Sequence, residues 1–188
     1  MKKRPTVGEI LQAKGVSRRG FLKYCATTAS ILALPPSMIP RIAEAIENAR
    51  RPSVIWLSFQ ECTGCTESLT RSASPTVEGL IFDAISLDYH HTLQAAAGEQ
   101  AEAARHAAME ENDGNYLVLV DGSIPLGNPG FSTIAGISNV DMLKETVAGA
   151  AAVVAIGSCA AFGGIPGADP NPTGAVSVMD LVTDKPVI

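Results

Sequence analysis

Two cysteines, two residues apart, stand in the stretch ECTGCTES at residues 61–68. Thiols at that spacing can exchange a disulfide, supply half of a zinc site, ligate iron in an iron–sulfur cluster, or pack as inert buried groups. Carboxylates flank them, Glu61 before Cys62 and Glu67 after Cys65. A third thiol, Cys159, lies in AIGSCAAFGG, and a fourth, Cys25, in an apolar run near the start of the chain. Cys25 falls in the basic, apolar start of the chain, and the odd number that remains argues against a closed disulfide framework.

The elements that must position these thiols can be read from hydrophobic runs. Residues 54–58 (VIWLS), 81–87 (IFDAISL), 116–120 (YLVLV) and 151–156 (AAVVAI) are predicted strands, and 186–188 begins a fifth. Helical stretches fall between them at 65–72, 93–111, 140–148 and 176–182, and 171–174 (NPTG) reads as a turn and helix start. Strands alternating with helices imply an α/β domain with an open, doubly wound parallel sheet. In such a sheet the loops that follow strands gather at one edge, where these folds keep their ligands. Cys62 and Cys65 follow the first strand and Cys159 the fourth, so three thiols converge there. Gly64, Gly157, Gly163 and Gly164 allow backbone to approach a bulky group closely.

A packed core thiol explains neither the shared edge nor the glycines. A thioredoxin-like pair needs no third thiol. Zinc would take three thiolates and a histidine, with His90, His91 and His106 as candidates. The first two follow the second strand, where loop polarity explains them as well, and His106 falls in a helix. An iron–sulfur cluster takes four thiolates. The sequence supplies three and stops at Ile188 inside a predicted strand, so the expectation is a fragment whose fourth ligand lies in the next loop.

The chain of 188 residues is 46% hydrophobic and 18% charged, the balance of one folded domain. Residues 1–45 carry eight of its fourteen Lys and Arg but only two of its nineteen acids, so the body is acidic. That disfavours nucleic acid as a partner. The basic start contains SRRGFLK, an apolar run at 24–34, two prolines and Ala43-Glu44-Ala45. This pattern is that of a twin-arginine export signal over 1–45, cleaved after Ala45, ahead of a cluster-binding domain over 46–188. The apolar run is about half the ~20 residues a spanning helix needs. Cys25 lies inside it and leaves with the signal.

Taken in order, SRRGFLK, PSVIWLSFQECTGCTES, ISLDYHHTLQAAAGEQAE, DGSIP, AIGSCAAFGGIPGADPNPTGAVSV and DKPVI resemble the small subunit of an uptake nickel–iron hydrogenase. The resemblance implies a flavodoxin-like domain holding a proximal [4Fe-4S] cluster, with Cys62, Cys65 and Cys159 as three of four ligands. The fourth is expected in a glycine–cysteine–proline–proline motif soon after DKPVI, and a further C-terminal part would carry a [3Fe-4S] and a second [4Fe-4S] cluster. It implies electron transfer from hydrogen oxidised in a separate nickel–iron large subunit to a cytochrome or a quinone-linked membrane subunit, at the periplasmic face. The family's matching glutamate assigns Glu61 a part in proton transfer, beside its plain reading as a helix-start carboxylate; Glu67 reads as structural, accepting hydrogen bonds near the cluster. Oxygen-tolerant relatives carry two more cysteines where this chain has Gly64 and Gly164, so an ordinary, air-sensitive cubane is expected. Gly64 is also expected to make the tight turn between the ligands. Two other readings stand beside this one: a non-catalytic exported iron–sulfur or zinc module, and a ubiquinone-reducing dehydrogenase subunit of the same fold, which the export signal disfavours.

Overall fold

The computed structural model describes residues 5–188 and divides into two units, one ending at Arg51 and the other running from Pro52 to Ile188. In the first, helix α1 (Val7–Ala13) opens with a capping box: the Thr6 hydroxyl accepts from the Glu9 amide, and the Glu9 carboxylate accepts from the Thr6 amide. Ser17 caps α2 (Arg18–Ile31), and a proline-led 3-10 turn precedes α3 (Ile39–Asn48). Phe21, Cys25 and Ala43 form the buried centre of this unit, so Cys25 is a core thiol. Arg18 and Arg19 occupy the exposed first turn of α2, and Ala45 lies within α3. Among the described residues no helix is long and apolar enough to cross a membrane.

The second unit is built on β1 (Ser53–Ser58), whose Val54, Ile55, Trp56 and Leu57 are all buried. Burial on both faces is what a central parallel strand requires. Accordingly β1 lies between β2 (Ser86–His90) and β3 (Tyr116–Asp121). Two residues beyond β3 come β4 (Ile124–Pro125) and then the small hairpin of β5 (Thr133–Ile134) and β6 (Ile137–Ser138). The chain returns to the sheet as β7 (Ala150–Ile156), parallel to β3. Residues 186–188 then run beside β7 in the same direction, with the Val153 amide bonding Pro186 O at 2.9 Å and the Ile188 amide bonding Val153 O at 3.0 Å. This is the flavodoxin-like strand order, the first strand being flanked by the second and third.

Side chains alternate across a strand, which separates the two helical layers. Tyr89 points to the face bearing α6 (Glu99–Glu111) and donates its hydroxyl to Glu102 at 2.6 Å. His90, on the opposite face, stacks on Trp56 and meets Thr66 of α4 (Gly64–Thr70). Helix α7 (Asn139–Ala148) packs beside α6 through Arg105, which is fully buried and bonds Glu102 at 3.0 Å, Glu145 at 2.8 Å and the Thr146 hydroxyl at 2.9 Å. Removing the buried cation takes a charged partner from Glu102 and a donor from the Thr146 hydroxyl at the packed contact of α6 and α7. Arg105→Met is therefore expected to cost about 3 kcal/mol in chemical unfolding, whereas a loss below about 1 kcal/mol would class the network with surface ion pairs.

Three expected elements fall differently. The second strand is Ser86–His90 rather than 81–87, because Thr76 caps α5 (Val77–Gly79) and Leu80–Ala84 continues it as a π-helical turn with Phe82 facing outward. The helix expected over 93–111 starts only at Glu99, behind Gly98 with its φ of +57°. No helix forms at 176–182: β8 (Ala175–Val176) pairs antiparallel with β4, and one turn closed by Ser177 and Asp180 follows. Buried Val178 and Val182 produced the helical spacing, but they cap the core from that turn. The turn at 171–174 is present and leads into β8, with the Asn171 amide bonding both backbone groups of Ala175.

Candidate metal centre

The carboxyl ends of β1 and β7 carry the three thiols. Cys62 lies in the loop after β1, Cys65 in the first turn of α4, and Cys159 in α8 (Gly157–Phe162), which follows β7 without a break. Cys62 is exposed and the other two are half-buried. The tight turn between the first two is made by Thr63, whose φ is +64°, and not by Gly64, which is already helical. The glycines on the other side are needed for space. A Cβ on Gly157, at φ +76°, would stand 2.5 Å from Cys65 Sγ, and one on Gly164, the first residue of α9 (Gly164–Gly167), would stand 2.6 Å from Cys159 Sγ. A cleft of about 340 Å³ opens here, lined by Gln60, Glu61, Cys62, Cys159, Ile165 and Pro166.

Electrostatics give the site its chemical demand. The Cys65 thiol is pushed up to about 11, first by burial, then by Asp121 and by the neighbouring Cys159 and Cys62. Three thiolates and a carboxylate so close together repel unless a cation joins them, and a metal deprotonates its thiols outright. Among the described residues no three His, Cys, Asp or Glu side chains converge on a single ion. A four-iron cluster places each thiolate on a different iron. Soft thiolates around a glycine-lined opening fit that group. The histidines have other partners. His91 Nδ1 accepts from the Ser58 amide at 3.1 Å, His90 Nδ1 accepts from the amides of Thr92 and Leu93, and His106 lies beside Glu145 on the α6 side.

His90 and His91 do stand at the carboxyl edge, but not as loop polarity: His90 ends β2 fully buried. Burial, helped by His91, depresses His90 from 6.5 to about 4. Between those values the unfolded chain binds a proton that the folded chain refuses. Its contribution is intact above about 6.5 and lost as pH falls towards about 4, roughly 3 kcal/mol in all. Unfolding measured across that window in the parent and in His90→Gln checks this, since the variant should lose that part of the pH slope; identical slopes would contradict it.

Glu61 is half-buried beside Cys62. Burial foremost, and the Asp121 charge next, hold its carboxyl above the ordinary range, and its Oε2 has no partner. Glu67 instead pairs with Arg71 at 2.6 Å, one helical turn away and exposed, so it serves the helix surface. Sequence reasoning missed Asp121, which ends β3 at 1% exposure within reach of the Cys65 thiol. In the sequence it is the acid closing the apolar run YLVLVDG just before a glycine, a pattern that reads equally as the start of a turn.

The model of the family described as NADH ubiquinone oxidoreductase, 20 Kd subunit, matches residues 62–188, all three thiols included. The chain belongs to this family. Among curated proteins it is similar to hydrogenase small subunits. The chain is 47% identical to the Hydrogenase-2 small chain of Escherichia coli K12 over 95% of its own length and 48% of the relative's. It is 45% identical to the periplasmic [NiFe] hydrogenase small subunit of Solidesulfovibrio fructosivorans, over 94% and 56% of the two chains. The chain thus spans about half the length of the curated relatives it matches. Among solved structures, the NiFeSe hydrogenase of Desulfovibrio vulgaris Hildenborough superimposes with a TM-score of 0.70 at 37% identity, over 74% of this chain and 53% of that one. That of Desulfomicrobium baculatum does so with a TM-score of 0.71 at 33% identity, over 74% and 55%. The resemblance to a hydrogenase small subunit therefore stands, and the relatives favour it over the dehydrogenase reading and the non-catalytic module.

Proposed function

We propose that this chain is the electron-transfer small subunit of a [NiFe] hydrogenase, acting beside a large subunit that oxidises hydrogen. The observation that carries the reading is the meeting of Cys62, Cys65 and Cys159 at the carboxyl edge, in a chain 44–47% identical to hydrogenase small subunits. The three would hold a proximal [4Fe-4S] cluster, with the fourth thiolate supplied from outside the described residues. When bound, such a cluster supplies a one-electron relay. Gly157 and Gly164 keep room for it, since a Cβ on either would crowd a ligand sulfur. The medial and distal clusters, the cytochrome or quinone-linked acceptor, and twin-arginine export of residues 46–188 to the periplasm belong to the same proposal.

The function is tested by asking whether hydrogen-dependent dye reduction needs this chain. The assembled pair is expected to reduce the dye and the large subunit alone is not; equal rates would overturn the reading. Glu61, with a raised carboxyl next to the first ligand, is suited to pass protons at the boundary between the subunits. Glu61→Gln keeps size and hydrogen bonding but cannot ionise. It is expected to slow hydrogen turnover about 100-fold with the iron–sulfur spectrum intact; turnover at the parental rate would return Glu61 to a helix-start role.

A further inference from the structure

Buried polar side-chain atoms that find no partner within the chain lie, among the described residues, along the carboxyl edge of the sheet. They are Ser58 Oγ, Glu61 Oε2, His91 Nε2, Asp121 Oδ2, Ser123 Oγ and both amide atoms of Asn139. Trp56 Nε1 joins them two residues before Ser58 on the same strand face. All belong to the carboxyl edge of the sheet. Ser58 and Asp121 are the last residues of β1 and β3 and lie in register; His91 follows β2; Asn139 opens α7. Glu61 and Ser123 stand in the loops beyond, which are tied by the Gln60 amide to Ser123 O at 3.1 Å and the Ser123 amide to Gln60 O at 3.0 Å.

Burial is nearly complete for Asp121, at 1%, and Ser123, at 0% exposure. A buried polar atom left dry is destabilising, and native proteins rarely tolerate even a few. Ser58 and Asp121, paired in register on the face that carries Cys65, with Glu61 beside Asp121, make the setting in which internal water is held, each molecule forming about three hydrogen bonds to such groups. His91 and Asn139 stand instead on the side of α6 and α7. The set on the Cys65 side is chemically matched: Trp56 Nε1 donates, the hydroxyls of Ser58 and Ser123 donate and accept, and the carboxyl oxygens of Asp121 and Glu61 accept. Asp121 also lies in reach of the Cys65 thiol, which connects this polar belt to a ligand.

We propose that the belt binds a string of ordered internal water molecules directly beneath the thiol-bearing loops, and that through this water Ser58 and Ser123 act as positioning residues which raise the reduction potential of the cluster above them. The second half rests on the cluster reading given above; the first does not. Water dipoles and hydroxyl donors near the sulfurs stabilise the added electron, which moves the potential upward.

The test is the Ser58→Ala/Ser123→Ala double variant in the full-length chain assembled with its large subunit, beside the parent. High-resolution diffraction locates water, and a potentiometric titration followed by EPR reads the cluster. Expected are water molecules bonded to both hydroxyls in the parent, their loss in the variant, unchanged iron content, a lower reduction potential and an unchanged or lower Tm. Dry hydroxyls in the parent, with a Tm that rises on their removal, would overturn the belt. An unchanged potential despite lost water would overturn the tuning role, since a merely structural pair of serines would not move it. A parent preparation free of iron would overturn the cluster reading and the tuning with it, while the water positions would still decide the belt.

Discussion

Cys159→Ser is expected to lower hydrogen-dependent dye reduction by the assembled complex at least about 100-fold and to remove iron from it. Disturbing groups that merely support a metal's ligands already costs about 10–100-fold, and loss of a ligand exceeds that. Cys159 sits in α8 directly after β7, and Gly164 leaves no room for a bulkier side chain over its sulfur. Serine keeps the shape and gives iron a poor ligand. Cys25→Ser is the control, because Cys25 packs against Phe21 and Ala43 in the other unit and should leave iron and activity unchanged. Iron content and dye reduction measured on both variants decide the matter. Parental iron in Cys159→Ser would remove this residue from the ligand set.

The second large effect concerns export. Replacing Arg18 and Arg19 together by lysine is expected to leave most of this chain, and the large subunit with it, in the cytoplasm. Lysine keeps the charge and nearly the same helix propensity, so α2, which is capped by Ser17 rather than by the arginines, should persist. What changes is the planar guanidinium fork that a receptor can read. Cell fractionation with detection of both subunits checks this. A normal periplasmic share in the double variant would contradict twin-arginine export.

Much of the sheet was legible because its central strands are buried on both faces. VIWL and YLVLV admit few other readings, and β1, β3 and β7 fall within a residue of their expected limits. The second strand was misplaced because IFDA has strand-like composition yet ends up on a surface turn, while the true strand opens with Ser86 and Asp88, whose polar groups are satisfied by each other and by Ser53. Burial of those polar residues depends on a partner strand more than thirty residues away, and local sequence does not carry it. The three thiols and the glycines beside them were legible from chemistry and topology. Asp121 was not, since a lone acid before a glycine reads as a turn. Nor was the left-handed Thr63, because glycine at the next position offered the cheaper turn.

If Cys62, Cys65 and Cys159 help hold an iron–sulfur cluster, that cluster receives electrons from hydrogen. The measurement that tests this most directly is low-temperature EPR of the assembled complex before and after exposure to hydrogen, recorded for the parent and for Cys65→Ser. Expected is a reduced-cluster signal that grows with hydrogen in the parent and is missing from the Cys65→Ser spectrum. Identical hydrogen-responsive spectra from the two proteins, or no response to hydrogen in the parent, would contradict the cluster reading.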